Sequence, residues 1–223
     1  MTQPSDARAY APATQRNREP ILAVLQRILP PAGTILEISS GTGEHAVFFA
    51  PRLAPRPWVP SDPNPLARES IAAWQQTMPA ENLHPPLAID VTYLDWPLSL
   101  QESLHLLATL DLTQQPLHAI VNINMIHIAP WQACLGLMAG AGQILPHGGI
   151  LYLYGPFKQA GQHTAPSNLA FDNSLRAQNP AWGVRDLEAV VAAAQEQGLV
   201  WVETVTMPAN NFSVVFRANL GDR

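Results

Sequence analysis

The sequence predicts an α/β fold, a doubly wound, mostly parallel seven-stranded sheet that ends in an antiparallel hairpin. Short apolar runs typical of buried strands alternate with amphipathic helical stretches, which indicates parallel strands joined by right-handed crossovers. The last two strand-like runs are separated only by PANN, residues 208–211. A connection this short can join only antiparallel neighbours. At 223 residues the chain has the size of one ordinary domain, so we expect residues 1–223 to form a single domain.

Hydrophobic periodicity defines the elements of the first half. A helix is expected over 20–29 (PILAVLQRIL), because its apolar residues share one face and Pro20 suits a first turn. Residues 1–19 before it are expected to be a polar N-terminal segment. The following elements are predicted as strands over 34–38, 58–61 and 87–91, helices over 43–53 and 65–78, and a helix or irregular crossover over 98–110.

The second half continues the alternation. Strands are predicted over 117–124, 149–154, 199–207 and 212–217, and helices over 130–145 and 186–197, the last one closed by Gly198. The connection over 159–183 is long, and connections of this length are usually functional. We expect it to contain a short helix over 167–176 and to act as a lid.

Composition narrows the class of protein. With 47% hydrophobic residues and a mean hydropathy near zero, the chain is expected to be globular, and it has no apolar run of about 18 residues that could span a membrane. A polar start without a signal peptide and a single cysteine, Cys134, favour the cytoplasm. The net charge of −5 makes extended binding to nucleic acid unlikely. Nothing in the sequence indicates an oligomeric state.

The segment ILEISSGTGEH, residues 35–45, places a glycine turn between a strand and a helix. Gly41 and Gly43 would let the backbone approach a ligand, and the helix start offers unpaired N–H groups, so a nucleotide-like cofactor is expected. A phosphate-binding P-loop would need a lysine that is absent here. The dinucleotide pattern G-x-G-x-x-A, ending at Ala46, is satisfied, which keeps an NAD-dependent oxidoreductase as an alternative. Glu37, however, would repel a pyrophosphate and favours a positively charged cofactor.

These residues resemble a known family. Glu37-x-Ser39-x-Gly41-x-Gly43 is similar to the first motif of class I S-adenosylmethionine-dependent methyltransferases, E/D-x-G-x-G-x-G, with serine at the first glycine. The similarity extends from about residue 21 to residue 217 and implies a Rossmann-like methyltransferase fold. It also implies S-adenosyl-L-methionine as the cofactor and S-adenosyl-L-homocysteine as the product.

The same resemblance assigns roles to residues at the ends of later strands. Asp62 matches the acid that binds the ribose hydroxyls, and Asp90 matches the acid on the adenine side. Asn122 and Asn124 fall where the family's fourth motif lines the methyl-transfer site. The cofactor-binding residues implied in this way are Glu37, Ser39, Gly41, Gly43, Asp62, Asp90 and Asn122. Asn17 and Arg18, before the first predicted helix, are expected to cover the cofactor.

A narrower resemblance concerns two longer stretches. LYGPFK, which ends at Lys158, and SNLAFDNSLRAQNPAWGVRDLE, residues 167–188, are similar to the methyltransferase-like protein 26 group, a domain-of-unknown-function family. This group implies the same fold and cofactor but brings no information about the methyl acceptor.

Acceptor-side residues are expected after the fifth strand, in the lid and at the start of a helix. The candidates are Trp131, Tyr154, Phe157, Lys158, Asn173 and Arg176; aromatic rings beside one ammonium group suit a small, partly apolar acceptor. Asn124 and His127 are candidates for catalysis, because a positioned histidine can act as a general base, although alignment alone can suffice. His127 could equally be a buried packing residue. The seven histidines show no paired zinc spacing, so no metal is predicted.

The sequence therefore predicts an S-adenosylmethionine-dependent methyltransferase that acts on a small molecule. A catalytically silent scaffold that binds the same cofactor is the first alternative. An NAD-dependent oxidoreductase is the second.

Overall fold

The computed structural model of the protein describes residues 6–93, 95–105, 110 and 113–219. The helices are Pro12–Ile28 (α1), Glu44–Arg52 (α2), Pro65–Thr77 (α3), Trp96–His105 (α4), Trp131–Ile144 (α5), Pro166–Gln178 (α6) and Leu187–Gln195 (α7). The strands are Thr34–Ile38 (β1), Trp58–Ser61 (β2), Leu117–Ile123 (β3), Ile150–Gly155 (β4), Phe157–Gln159 (β5), Gln162–His163 (β6), Arg185–Asp186 (β7), Leu199–Met207 (β8) and Asn211–Ala218 (β9). No helix within the described ranges is long and apolar enough to cross a membrane.

The central sheet confirms the predicted fold class. Its strand order is β2-β1-β3-β4-β9-β8, in which β1 to β4 run parallel and β9 is antiparallel to both β4 and β8. A short 3-10 helix, Pro208–Asn210, joins the two hairpin strands. The chain steps from β1 outwards to β2 and then returns to place β3 on the other side of β1. The carboxyl ends of β1 and β3 therefore flank the switch point where ligands bind in open α/β sheets.

Apolar side chains cover both faces of the sheet. Leu36 and Ile38 of β1 join the core cluster that contains α5 and α7, whereas Ile35 joins the cluster that contains α1 and α2. All five residues of β1 are buried, as expected for a central parallel strand. Glu37 lies two residues after Ile35 and therefore on the same face of β1, as an ionisable residue inside the core.

The predicted strand over 87–91 is wrong, and the main sheet has six strands in the described part of the chain. Residues 82–87 instead run beside β2 and form single parallel bridges, Trp58 with Leu83 and Ser61 with Leu87. The backbone N–H groups of Leu87 and Asp62 donate to Pro60 and Leu87 respectively, at 2.9 and 3.0 Å. Pro85 and Pro86 lack N–H groups, so a continuous ladder cannot form here.

The first helix begins earlier than predicted. Pro12, rather than Pro20, occupies its first turn, and Pro20 lies inside the helix. Thr14 and Asn17 are buried, so part of the polar N-terminal segment packs into the fold. The other predicted helices and strands up to 98 and from 117 onwards agree with the structure to within two residues at each end. Part of the predicted helix over 98–110 lies outside the described residues.

The long connection over 159–183 contains regular structure. Its central part is α6, close to the predicted short helix. Near its start lies β6, which pairs with β5 before the connection, and β5 pairs in turn with β7 after the connection, in the order β6-β5-β7. Asp172 of α6 accepts hydrogen bonds from the Val184 amide at 2.8 Å and from Arg176 Nε at 3.2 Å. These contacts fix the helix to the chain that follows it.

Two glycines of α5 allow the segment after Val91 to pack closely. A Cβ atom at Gly136 would overlap the carbonyl of Val91, and one at Gly140 would overlap the indole of Trp96. The indole Nε1 of Trp96 also donates to the Gly136 carbonyl at 2.9 Å. The glycines, which by propensity alone weaken a helix, are required here by packing.

We expect Gly140→Ala to lower stability, although alanine is the better helix former by about 1 kcal/mol. The added methyl group would meet the buried indole of Trp96, and overpacking of this kind costs about 1–3 kcal/mol. Urea unfolding of the variant checks the sign, with Gln132→Ala on the exposed side of the same helix as the control. A variant more stable than the parent would show that the indole moves at little cost.

Candidate cofactor and acceptor site

The loop between β1 and α2 takes an unusual backbone conformation. Ser39, Gly41 and Gly43 all have positive φ angles, of +57°, +58° and +88°. The Ser40 amide donates to the Ser61 carbonyl at 2.8 Å, and the Ser40 hydroxyl accepts from the Ser61 amide at 3.1 Å. The start of the loop is thereby fastened to the end of β2. Serine at position 39, the one departure from the glycine pattern, accepts the left-handed conformation.

Asp62 supports the loop from the end of β2. Its Oδ2 accepts a hydrogen bond from the Gly41 amide at 3.0 Å, and its Oδ1 accepts one from the Asn64 amide at 2.9 Å. Burial raises the pKa of Asp62, whereas these two amide bonds and Arg68 lower it. The carboxylate is therefore located beside the loop, where the ribose-binding acid was predicted.

Gly41 and Gly43 have different surroundings. A Cβ at Gly41 would meet no atom within 4 Å, so open space lies above this residue. A Cβ at Gly43 would lie 2.8 Å from the Cα of Ile71 in α3. Gly41 thus faces open space, whereas Gly43 is needed for packing between the loop and α3.

Glu37 lies beneath the loop rather than on its surface. Its side chain is 1% exposed, and its Oε2 accepts a hydrogen bond from the Trp58 indole at 3.0 Å. Burial raises the pKa of Glu37 to about 7; hydrogen bonds from Trp58 and Ser40 lower it, and the charge of Asp62 raises it further. The carboxylate can act on a cofactor through its electrostatic field but does not line the loop surface.

Asp90 and Asn122 lie near the same edge of the sheet and make structural hydrogen bonds. Asp90 Oδ1 accepts from the amide of Thr92 at 2.9 Å and from its hydroxyl at 2.7 Å, which caps the turn after residue 90. The buried Asn122 donates through Nδ2 to the Ile38 carbonyl at 3.0 Å. Asn122 therefore joins β3 to the last residue of β1, directly below the loop.

A cavity of about 460 Å³ opens beside the loop at the carboxyl ends of β3 and β4. Five parts of the chain enclose it. The lining residues are Ala13, Arg16 and Asn17 of α1; Asn124, His127 and Ile128 after β3; Tyr154 and Pro156 at the end of β4; Ser167, Asn168 and Phe171 of α6; and residues 208–211 of the hairpin turn. Its size is that of a small-molecule site.

The cavity is connected to the loop by polar contacts. Asn17 Oδ1 lies 2.9 Å from Nε2 of His45, which is in the first turn of α2. The hydroxyl of Tyr154 is hydrogen-bonded to Asn17 and accepts from Asn211 Nδ2 at 3.1 Å. One network of side chains therefore extends from the helix after the glycine loop to the hairpin turn on the far side of the cavity.

His127 and Asn124 meet at the base of the cavity. His127 is 3% exposed, and its Nδ1 has no hydrogen-bond partner among the described residues. Burial, followed by the charge of Arg185, lowers the pKa of His127 to about 4, so its imidazole is neutral near pH 7. A Cβ at Gly155 would lie 3.1 Å from this ring and 3.6 Å from Asn124 Oδ1. The absence of a side chain at position 155 makes room for both groups.

Of the residues predicted for the acceptor pocket, the structure brings only Tyr154 to the cavity wall. Phe157 is completely buried and stacks on Phe212 in the core, which does not support a role as a pocket residue. Trp131 lies under the guanidinium of Arg185, 5.8 Å from it. The remaining candidates are outside the lining: Lys158 in β5, and Asn173 and Arg176 on α6.

Sequence reasoning missed the asparagines that line the cavity from α6 and the hairpin turn. Asn168 is buried in α6, and Asn210 and Asn211 follow Pro208 in the turn. Ala209 and Asn210 both have left-handed conformations, with φ of +58° and +57°. The pair of asparagines after Pro208 was the available signal, since asparagine tolerates this conformation better than most residues.

The strand order, the terminal hairpin and the loop after β1 together define the fold of class I S-adenosylmethionine-dependent methyltransferases. Within that class, residues 8–218 match the family described as "Protein of unknown function (DUF938)", and the chain belongs to this family.

Several solved structures share the fold. An O-methyltransferase family protein from Burkholderia thailandensis has a TM-score of 0.72 and 11% identity, over 94% of this chain and 58% of that one. Human N-acetylserotonin methyltransferase in complex with S-adenosylmethionine has a TM-score of 0.70 and 11% identity, over 93% and 53%. PigF with S-adenosylhomocysteine has a TM-score of 0.70 and 12% identity, over 91% and 56%. The chain spans little more than half the length of these structures, and at this identity the similarity establishes the fold.

Metal-ligating side chains are dispersed in the part of the chain that the structure describes. No three histidine, cysteine, aspartate or glutamate residues there lie close enough to hold a metal ion. Cys134 is buried in α5.

We expect Glu37→Gln to stabilise the protein increasingly as pH rises from about 4.5 to about 7. The pKa of Glu37 is raised to about 7 in the folded protein, so as pH rises the unfolded chain loses this proton at lower pH than the folded protein does. The stability that the protonated carboxyl contributes is therefore lost across that window. The shift corresponds to at most about 3 kcal/mol. Urea unfolding at several pH values measures the difference in the free energy of unfolding between variant and parent. The titrations of His45 and His127 occur in both proteins and cancel in this difference.

Glu196→Gln, at an exposed carboxylate after α7, is the control for this measurement and should give no such pH-dependent difference. A gain in stability that is the same at every pH would contradict a raised pKa at Glu37.

Proposed function

We propose that the protein is an S-adenosylmethionine-dependent methyltransferase that acts on a small molecule bound in the cavity between α1 and α6. The observation that most supports this proposal is the open space above Gly41, beside the Asp62 carboxylate and next to an acceptor-sized cavity. Two ligands held at these places would share the carboxyl edge of the sheet. A transferase needs such an arrangement, because the reacting groups must be held close and aligned.

The residues around the loop fit the cofactor. Asp62 would accept hydrogen bonds from the ribose hydroxyls, Gly41 and Ser39 would allow the backbone to approach, and Asp90 would lie on the adenine side. Glu37 favours a positive charge above the loop, because its buried carboxylate has no cationic partner among the groups that shift its pKa. When bound, S-adenosylmethionine supplies a methyl group on a positively charged sulfur.

His127 and Asn124 are the candidates for contact with the reacting group of the acceptor. The imidazole of His127 is neutral near pH 7 and can accept a hydrogen bond. Asn124, with a positive φ of +64°, is held by a hydrogen bond from its amide to the Tyr154 carbonyl at 2.8 Å. These residues would orient the acceptor, while α6 and the hairpin turn keep water away.

Two alternatives are distinguished by measurement. A silent scaffold would bind the cofactor without transferring a methyl group, and an NAD-dependent oxidoreductase would bind NAD. Membership of the narrower methyltransferase-like protein 26 group and a cytoplasmic location remain predictions from the sequence.

Calorimetry with S-adenosylmethionine, S-adenosylhomocysteine and NAD tests the class of cofactor. We expect the first two to bind and NAD not to bind; binding of NAD alone, or of none of the three, would refute the proposal. Transfer of a labelled methyl group from the cofactor into a fraction of small molecules from a cell extract then separates an enzyme from a scaffold. Label found only in RNA or protein would exclude a small-molecule acceptor.

We expect Asp62→Asn to weaken binding of S-adenosylhomocysteine by about tenfold or more. The change removes the charge of the acceptor for the ribose and replaces one of the two oxygens that accept from the Gly41 and Asn64 amides by an NH2 donor, while the size of the side chain is kept. Calorimetry of the variant gives the affinity, and Glu196→Gln serves as the control. Unchanged affinity in a folded Asp62→Asn variant would remove this residue from the cofactor site.

A further inference from the structure

The cavity beside the glycine loop has an uneven chemical lining. Five asparagines face it, whereas Arg16 is the one formally charged side chain among the described residues that line it, and none of those residues carries a carboxylate. Phe171, Ile128 and Pro156 supply an apolar surface. Recognition of a cation would require an acidic partner or an aromatic cage, so this lining selects against positively charged molecules.

The amide of Asn168 has a defined orientation. Its Nδ2 lies 2.9 Å from the Asn210 carbonyl oxygen and 3.0 Å from the Thr164 hydroxyl. A backbone carbonyl can only accept a hydrogen bond, so the nitrogen must point towards Asn210 and the oxygen must point away from it. No described residue donates to that oxygen, yet it is not among the buried side-chain atoms without a partner. The oxygen of Asn168 is therefore an accessible acceptor on the cavity wall.

The amide of Asn211 is also oriented by a backbone carbonyl. Its Nδ2 donates to the Pro208 carbonyl at 3.3 Å and to the Tyr154 hydroxyl at 3.1 Å. Both amide hydrogens are directed at protein atoms, which leaves Oδ1 as the group available to a ligand. The two asparagines thus use their donors within the protein and offer only acceptors to the cavity.

The neutral imidazole of His127 completes this surface. It lines the cavity at 5.6 Å from the Phe171 ring, in an edge-on arrangement. A neutral imidazole has one nitrogen that accepts, and burial keeps this ring uncharged. The acceptors identified on the wall are the side-chain oxygens of Asn168 and Asn211 and one nitrogen of His127, beside the donors of Arg16, and the apolar residues suit a flat molecule.

We infer that the acceptor is a neutral, flat molecule that carries at least two hydroxyl groups, which donate to the side-chain oxygens of Asn168 and Asn211. This inference rests on the proposed methyltransferase function and names its substrate class. Methylation of such a hydroxyl would form an O–CH3 bond as the S–CH3 bond of S-adenosylmethionine breaks to give the neutral thioether S-adenosylhomocysteine, and the hydroxyl proton would pass to water. The product therefore has one donor fewer than the substrate, and the cavity should bind it more weakly.

A matched set of probes tests this inference on the whole chain. Naphthalene-2,3-diol presents two donors on a flat ring, 2,3-dimethoxynaphthalene has the same ring without donors, and trimethyl(naphthalen-2-yl)ammonium carries a positive charge at every pH. NMR titration of the labelled protein, with and without S-adenosylhomocysteine, gives the affinity and the location of binding. We expect the diol to bind in the cavity about tenfold more tightly than the diether, and the cation not to bind.

Two variants identify the groups responsible. Asn168→Ala and Asn211→Ala should each reduce the preference for the diol over the diether severalfold, whereas Asn173→Ala, on the exposed side of α6, should leave it unchanged. If Asn168→Ala loses its fold because the contact with Asn210 is lost, the Asn211 variant still decides the question. A preference that survives in both folded variants would overturn the assignment of these oxygens.

The outcomes separate this inference from the proposed function. If S-adenosylhomocysteine binds but the diether equals the diol, or neither binds, the acceptor class is wrong and the cofactor site stands. If S-adenosylhomocysteine does not bind, the proposed function fails, and with it the description of the ligand as a methyl acceptor. Binding of the diol together with the cofactor product supports both.

Discussion

The hydrogen bond between the Gly41 amide and the Asp62 carboxylate is the contact on which the arrangement of the site depends. It joins a loop that has no regular structure to the end of a strand in the core. The parallel register of Ile38 with Ser61 and the paired bonds between Ser40 and Ser61 bring the two ends together, so that the carboxylate can reach the loop. The loop therefore takes its position from the sheet, and an otherwise costly set of left-handed residues becomes a defined surface.

The first helix, α1, contributes to the site through residues of its polar N-terminal half. Asn17 faces inwards and connects His45, at the start of α2, with Tyr154, at the end of β4. Arg16 and Ala13 of the same helix form part of the cavity wall. A segment that hydrophobic periodicity leaves outside the fold thus lies between the glycine loop and the cavity.

An element can be predicted from the sequence where its local pattern agrees with its final environment in the fold. Buried strands such as 34–38 and 150–155 are recognisable because local apolar pattern and final environment agree. The segment 87–91 has that pattern as well, but Leu87 already lies opposite Ser61, the last residue of β2, so residues 88–91 run past the strand they would pair with. The local pattern cannot show where the neighbouring strand ends. Phe157 follows a strand at the ligand-binding edge, and only the position of Phe212 from the distant hairpin shows that it belongs to the core. The cavity asparagines come from segments far apart in the chain, so no local pattern reveals that they meet.

The hairpin turn also limits how this cavity can change through mutation. Ala209 and Asn210 hold left-handed conformations, which cost a residue with a Cβ about 1–2 kcal/mol and disfavour β-branched side chains most. Position 209 can accept glycine or asparagine readily, but not valine, isoleucine or threonine. New ligand preferences would therefore arise more easily through the helical wall, at an exposed position such as Phe171, than through the turn. In evolutionary terms, one side of the cavity is adaptable and the other is conformationally constrained.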